Sequence, residues 1–324
     1  MKNYSTYELP DGGLYFGELD ANGLPHSERA TCTWPNGTSY LGSWVKGKMS
    51  GVGTFYESGL VKYRGYWWNG ELLHIFGTEE PPKPEAKLPK NKNKIAALLV
   101  GCNYEKGSSP LPCCINEVTE IGRKLSQIGV DVTVLKNASK EEIERGLATL
   151  AKKDANYDHA LFYFSGHGAI YGGYHLLQDI NFAPMPLELG VLSALSDTKF
   201  KNLIIVHDAC NVIVPITQDS IDEIHDHEKM FVSNHWHARN ILYAFSSLNG
   251  NPSFAAKNNN LGMFALAFIE NIQKRDLPIL KMFDNITRFV VDYSRKMHDG
   301  LILETPNISK TLFDDDLCFY FPEE

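Results

Sequence analysis

Three short segments near the amino terminus share one pattern: tyrosine, any residue, glycine, any residue, then an aromatic residue or leucine. They are Tyr15-Phe16-Gly17-Glu18-Leu19, Tyr40-Leu41-Gly42-Ser43-Trp44 and Tyr63-Arg64-Gly65-Tyr66-Trp67, with starting tyrosines 25 and 23 residues apart. Self-similarity at such a period marks stacked supersecondary units. Gly51-Val52-Gly53-Thr54-Phe55 between them reads as a second strand, and Pro35-Asn36-Gly37 and Glu57-Ser58-Gly59 read as turns. Each unit is therefore a β-hairpin. A single hairpin is marginal in water, so the units must stack and bury aromatics such as Trp44, Phe55 and Trp67 against their neighbours.

The repeats resemble the MORN (membrane occupation and recognition nexus) family over residues 12–77. The first copy departs from the pattern, with Leu19 in place of the aromatic, as a capping unit does. The resemblance implies a recognition module in which membrane contact is possible. In residues 1–77, acids at 8, 11, 18, 20, 28, 57 and 71 oppose bases at 2, 29, 46, 48, 62 and 64, so the charge gives little attraction to an anionic membrane. A protein activator or partner is the preferred ligand.

Residues 78–94, Thr78-Glu79-Glu80-Pro81-Pro82-Lys83-Pro84 through Lys94, are proline-rich and charged, with almost nothing to bury. This composition makes a semi-rigid linker and divides the chain into a repeat domain, 1–77, and a second domain, 95–324. In the second domain the periodicity changes. Ile95–Val100 is a continuous apolar run, as in a strand covered on both faces. Ile115, Val118, Ile121, Leu125 and Ile128 then recur at spacings of three and four and predict a helix. Val130–Leu135 reads as a strand. Ser139 and Glu142 form a capping box opening a helix to about Lys153. Strands are expected at 160–164, 203–206, 241–245 and 317–321, and helices at about 262–274 and 278–297. The alternation predicts an α/β domain whose mostly parallel sheet is covered by helices on both faces. Ligand chemistry in such sheets gathers at the carboxyl ends of the strands.

Two reactive side chains stand at such ends. Leu161-Phe162-Tyr163-Phe164 runs into Ser165-Gly166-His167-Gly168, and Leu203-Ile204-Ile205-Val206 runs into His207-Asp208-Ala209-Cys210. A thiol attacks as its thiolate, and a nearby imidazole both favours that form and later protonates the leaving amine. Glycines on both sides of His167 leave room for a substrate backbone. The amides of Gly168 and Cys210 could then bind the oxyanion of acyl transfer. His207 and His175 are alternative bases without a glycine frame.

Residues 94–322 resemble the caspase-like cysteine peptidases. Besides the two strand ends, the resemblance rests on Leu98-Leu99-Val100-Gly101-Cys102-Asn103-Tyr104, Leu111-Pro112-Cys113-Cys114-Ile115-Asn116-Glu117, Tyr243-Ala244-Phe245-Ser246-Ser247 and Gly262-Met263-Phe264. Asp-Ala-Cys is nearer to metacaspases and paracaspases than to true caspases, although Asn211-Val212 matches neither. The resemblance implies a thiol protease fold with His167 as base, Cys210 as nucleophile and no cofactor. It also places Asp208, Glu117, Ser246 and Ser247 around the pocket for the residue before the scissile bond. Two carboxylates there favour Arg or Lys over Asp. Residues 211–238 occupy the position of the family's rearranging loop.

Other candidates are weaker. His225, His227, His235 and His237 suggest a metal at first, but on one helix His225 and His227 point about 200° apart, so a solvated acidic segment is the expected reading and no metal site is assigned. Asp314-Asp315-Asp316 lacks the spaced oxygens of a calcium loop. The adjacent pair Cys113-Cys114 reads as free buried thiols. A net charge of -8 and a pI near 5.8 argue against nucleic acid as a partner. With no apolar run of membrane-spanning length and no secretion signal, the expected location is cytoplasmic. A protein or peptide substrate is the expected partner of the second domain. The competing reading is a catalytically silent scaffold that binds a protein or lipid through the repeats.

Overall fold

A computed structural model describes residues 4–76, 91–105, 110–171, 174–210, 240–247, 261–297, 304–311 and 313–321. The chain divides into two compact units, an amino-terminal one and one built from most of the residues after 88. Most of the expected linker and all of residues 211–238 lie outside the described residues, as do the four histidines between 225 and 237.

The amino-terminal unit is a seven-stranded antiparallel meander in sequence order. Its strands are β1 (Ser5–Glu8), β2 (Leu14–Gly17), β3 (Ser27–Thr33), β4 (Thr38–Val45), β5 (Lys48–Glu57), β6 (Leu60–Trp68) and β7 (Glu71–Phe76). Each expected hairpin is present, and the hairpins join edge to edge in one sheet. Between β4 and β7 the turns are Lys46-Gly47, Ser58-Gly59 and Asn69-Gly70, all with positive φ at both residues. That is the two-residue turn whose twist matches antiparallel strands.

The geometry also explains the repeated tyrosine and glycine. A Cβ on Gly42 would lie within 2.6 Å of the Gly53 Cα, and one on Gly53 would lie 2.3 Å from the Tyr40 ring. Tyr40 thus folds across the glycines of two adjacent strands, and its hydroxyl donates to the Ser43 carbonyl at 3.3 Å. Tyr15 makes the same excursion, donating to the Glu18 carbonyl at 2.6 Å. The tyrosines then meet tryptophans edge-on: Tyr15 with Trp44, and Tyr40 with both Trp44 and Trp67. Trp44 and Trp67 are buried as expected, whereas Phe55 packs at the margin of this core.

In the second unit, a six-stranded sheet runs in the order β16-β15-β14-β10-β8-β9. Its strands are β8 (Ile95–Gly101), β9 (Asp131–Lys136), β10 (His159–Ser165), β14 (Asn202–Asp208), β15 (Asn240–Phe245) and β16 (Asn307–Lys310). All neighbours pair in parallel except β16, which pairs antiparallel with β15. The helices are α1 (Cys114–Gln127), α2 (Lys140–Ala151), the single turn α3 (Ser193–Leu195), α4 (Met263–Asn271) and α5 (Ile279–Met297). Ser139 and Glu142 form the expected reciprocal cap of α2.

Alternate residues of the buried strands face opposite layers. Leu98, Phe162, Phe164 and Ile205 join Ile143 and Leu147 of α2 in one core. On the other side Tyr163 meets Phe268 of α4 edge-on, and Gly122 of α1 lets that helix approach Leu99 and Val132. The mostly parallel sheet covered on both faces is therefore present.

Two local expectations fail. Residues 317–321 form no strand; only the isolated bridge of Cys318 with Pro278 is made. The apolar side chains Leu317, Phe319 and Tyr320 are buried without a free ladder edge, because β16 already occupies the edge of β15. The antiparallel three-stranded sheet of β11 (Gly168–Tyr171), β12 (Tyr174–Gln178) and β13 (Pro184–Pro186) was not expected. Its strands are short and interrupted by glycine and proline, so they carry little periodic signal.

Candidate active site

The parallel ladders align three strand ends in one row, Gly101 of β8 opposite Ser165 of β10, and Ser165 opposite Asp208 of β14. His167 and Cys210 each follow that row by two residues. Neighbouring strands lie about 4.8 Å apart, and the ladder continues past the row, since the Gly166 amide donates to the Asp208 carbonyl at 3.3 Å. Beyond it, a Cβ on Gly168 would stand 2.9 Å from the Cys210 carbonyl oxygen and 2.8 Å from the Ala209 Cβ. The missing side chain at 168 is thus what lets the two strand extensions close on each other. Both His167 and Cys210 are partly exposed.

His167 is held from behind. Its amide donates to the Tyr104 hydroxyl at 3.0 Å, and that hydroxyl donates to the Gln178 carbonyl. The imidazole lies 4.4 Å from the Tyr104 ring centre and 5.7 Å from that of Phe182. Phe182 sits on a turn tied by Asp179, whose Oδ1 accepts from the amides of Asn181 and Ala183 while Oδ2 accepts from that of Lys140. Both aromatics have positive φ, 52° for Tyr104 and 63° for Phe182. Bulky residues rarely adopt that conformation, and it gathers at functional sites. In the sequence Tyr104 stands only within the Leu98–Tyr104 segment and Phe182 belongs to no motif; the signal in both is conformational.

Tyr163, Ser165 and Asp208 project toward the layer of α1 and α4. Glu117 of α1 is buried there at 2% exposure. It accepts from the Ser165 hydroxyl and, at 2.5 Å, from the Gly262 amide preceding α4. Gly101 admits the start of α1, because a Cβ there would meet the Cys114 carbonyl oxygen at 2.5 Å. The Asp208 carboxylate accepts from the Tyr163 hydroxyl at 2.9 Å. Burial, and next the charge of Glu117, push the Asp208 carboxyl up to about 7 against the pull of hydrogen bonds from Tyr163 and Ser246. Burial likewise raises Glu117. Ser246 and Ser247 are fully buried, and both hydroxyls donate to the Ala209 carbonyl, at 3.4 and 3.3 Å. They grip the backbone beside Cys210.

The alternative bases have other settings, although the His207 ring lies beneath Gly168, where a Cβ would stand 2.7 Å from its Cε1. His207 is fully buried and stacks against Phe164 on the α2 side of the sheet. His175 stacks on Phe245 at 4.2 Å. Asp314 and Asp316 form a turn, with the Asp316 amide donating to Asp314 Oδ1. Among the described residues, Cys113, Cys114 and Glu117 are the group of potential metal ligands that stands out. No described helix is long and apolar enough to cross a membrane.

Sheet order, helical cover and the row of strand ends define a caspase-like α/β fold, preceded in the chain by an all-β amino-terminal sheet. Residues 94–315 match the caspase domain family, and the chain belongs to that family of cysteine peptidases. Caspase-1 from Spodoptera frugiperda superposes with a TM-score of 0.52 at 16% identity, over 76% of this chain and 98% of that one. A protein of known structure from Geobacter sulfurreducens gives 0.52 at 15% identity, over 71% and 100%. Both likenesses concern the fold. A Plasmodium berghei protein described as an inactive protein tyrosine kinase, pTKL, is 35% identical over 66 residues. That stretch is 20% of this chain and spans only 5% of the kinase-like protein.

Proposed function

We propose that this protein is a cysteine endopeptidase in which Cys210 is the nucleophile and His167 the base. The alignment of Ser165 with Asp208 at the carboxyl ends of two adjacent strands, each two residues before one of these groups, is the observation on which this reading rests. The imidazole takes the thiol proton and the thiolate attacks the scissile carbonyl carbon. The amides of Gly168 and Cys210 donate to the oxyanion. The imidazolium then protonates the departing amine, and water activated by the same imidazole releases the acyl group.

The carboxylate pair gives the specificity. Burial raises the proton affinity of Glu117, and burial together with the charge of Glu117 raises that of Asp208; a cationic side chain relieves that strain where an aspartate adds to it. Cleavage after Arg or Lys follows. Arg is favoured if the carboxylates offer a planar face.

The amino-terminal sheet is the recognition or control module, resembling MORN repeats, and its ligand is a protein. Its exposed Leu14, Phe16, Leu60 and Val61, with Tyr4 stacked on Phe16, support a role in contact. The test incubates purified full-length chain with matched fluorogenic peptides ending in Arg, Lys, Asp or Leu, and with a peptide chloromethyl ketone. Turnover of the Arg peptide and selective labelling of Cys210 are expected. A preference for the Asp peptide overturns the specificity; absence of both turnover and labelling favours the silent scaffold.

A further inference from the structure

We propose that Cys113, Cys114 and Glu117 form a binding site for a thiophilic metal ion, of which zinc is the type, on the first turn of α1. Cys113 precedes the helix, and Cys114 and Glu117 lie in its opening turn and a half. Spacings of three and four residues bring helical side chains onto one face, so this short segment converges two thiols and a carboxylate. One ligand atom from each lies within 4.8 Å of the other two. A tetrahedral zinc with bonds of about 2.0–2.3 Å holds its ligands slightly under about 4 Å apart. Modest side-chain rotation therefore closes the set.

The chemistry selects the ion. Two thiols with one carboxylate suit zinc or cadmium and disfavour magnesium and calcium, which prefer oxygen. All three side chains are at most 3% exposed, and the Cys113 thiol interacts with both the Cys114 sulfur and the Glu117 carboxylate. An apolar pair would fill the same space without offering ligands. On binding, each coordinating thiol releases its proton to solvent.

The site shares Glu117 with the carboxylate pair. That side chain holds the Gly262 amide and the Ser165 hydroxyl, tying α1 to α4 and to the end of β10, two residues before His167. A bound cation draws on the same oxygens and adds positive charge near Asp208. Occupancy therefore weakens a cationic substrate, a consequence that rests on the peptidase reading although metal binding itself does not.

The experiment uses the full-length chain carrying Cys210→Ala, which removes the dyad thiol as a zinc ligand. The reduced protein is equilibrated with zinc chloride, and bound metal is counted by native mass spectrometry. About one zinc per chain is expected, with affinity reduced by Glu117→Gln by at least the roughly 10- to 100-fold that loss of an outer-shell partner costs and retention abolished by Cys113→Ser with Cys114→Ser. Should the double variant fail to fold, alkylation is mapped in Cys210→Ala instead, in a low urea concentration that transiently opens these buried thiols: zinc must slow modification of Cys113 and Cys114 more than that of Cys32 and Cys318. No retained zinc, equal retention in a folded double variant, or no selective protection overturns the proposal. Peptide turnover enters none of these readouts, so failure here is separate from failure of the peptidase reading.

Discussion

Ser165 and Asp208 are partners in the parallel ladder between β10 and β14, and each is followed at the same distance along its strand by one member of the proposed dyad. The relationship also separates the work of the two sheet faces. Ser165 and Asp208 turn toward Glu117 and Tyr163, while His207 and Phe164 turn into the core beneath. Chemistry and packing thus come from alternate residues of the same strands.

Replacing Cys210 by Ala, or His167 by Ala, should lower peptide turnover by orders of magnitude. Both side chains are partly exposed beyond the last ladder pair, so the melting temperature of either variant should stay close to that of the parent. Full turnover in either variant removes the dyad.

Tyr104→Phe should separate positioning from packing. The ring remains, but the His167 amide and the Gln178 carbonyl lose their shared hydroxyl, at a cost of about 1–3 kcal/mol for the groups left unpaired. Turnover number should fall by about 10-fold with KM little changed. Phe182→Ala, at an exposed position beside the imidazole, should affect kcat in the same direction with less loss of stability. A change confined to KM in both would assign these aromatics to substrate contact instead.

In the proposed pocket, Asp208 should make both binding and stability depend on pH. Its carboxyl is held up to about 7 in the folded chain, above the ordinary range near 4. The folded state therefore holds a proton that the unfolded chain releases. The stability it contributes is fully present below about pH 4 and is lost as pH rises through about 7. Ligand binding should run the opposite way, because a cationic side chain in the proposed pocket needs the ionised carboxylate. In the Cys210→Ala background, a peptide ending in Arg should bind more tightly as pH rises across this window, by isothermal calorimetry. Asp208→Asn should flatten that rise. An identical pH profile in the Asn variant would sink the pocket assignment.

Gly42→Ala and Gly53→Ala should both destabilise the amino-terminal sheet by about 1–3 kcal/mol or more. Backbone blocks the new methyl at 42, and the Tyr40 ring blocks it at 53. Gly23→Ala is the control: its φ is +78°, but nothing lies within 4 Å, so only the left-handed strain of about 1–2 kcal/mol remains. Amide exchange across β4, β5 and β6 reports the difference directly. Loss of exchange protection across β4, β5 and β6 in the Gly23 variant as great as in the other two would contradict the account of the repeat.

Deleting residues 1–80 should leave a folded peptidase unit with altered control, since the sequence from 78 to 94 offers little to pack. Circular dichroism and peptide turnover on the truncated chain check this. An insoluble or unfolded product would make the repeats part of the structural core.

Periodicity in the sequence determined the elements whose burial is one-sided or complete: the hairpins with their turn residues, the stripe of α1, the cap of α2 and the four inner parallel strands. It also drew attention to His167 and Cys210, because two reactive side chains a few residues after two continuous apolar runs are visible without coordinates, while their roles came from the family resemblance. The edge strand β16 was not legible. Asn307–Lys310 carries no apolar alternation, and its place was decided by which edge the tertiary fold left open, while the more apolar 317–321 packed without pairing. The small sheet β11–β13 was hidden for a similar reason. Long-range contacts escaped altogether. The Tyr104 hydroxyl bridges residues 63 and 74 positions away, and Glu117 reaches Gly262 across 145. Such partners are set by strand order and helix placement, which local propensity does not encode. Residue types therefore fixed what chemistry was available, and the ladder register and the closeness of the helices decided which groups could share it.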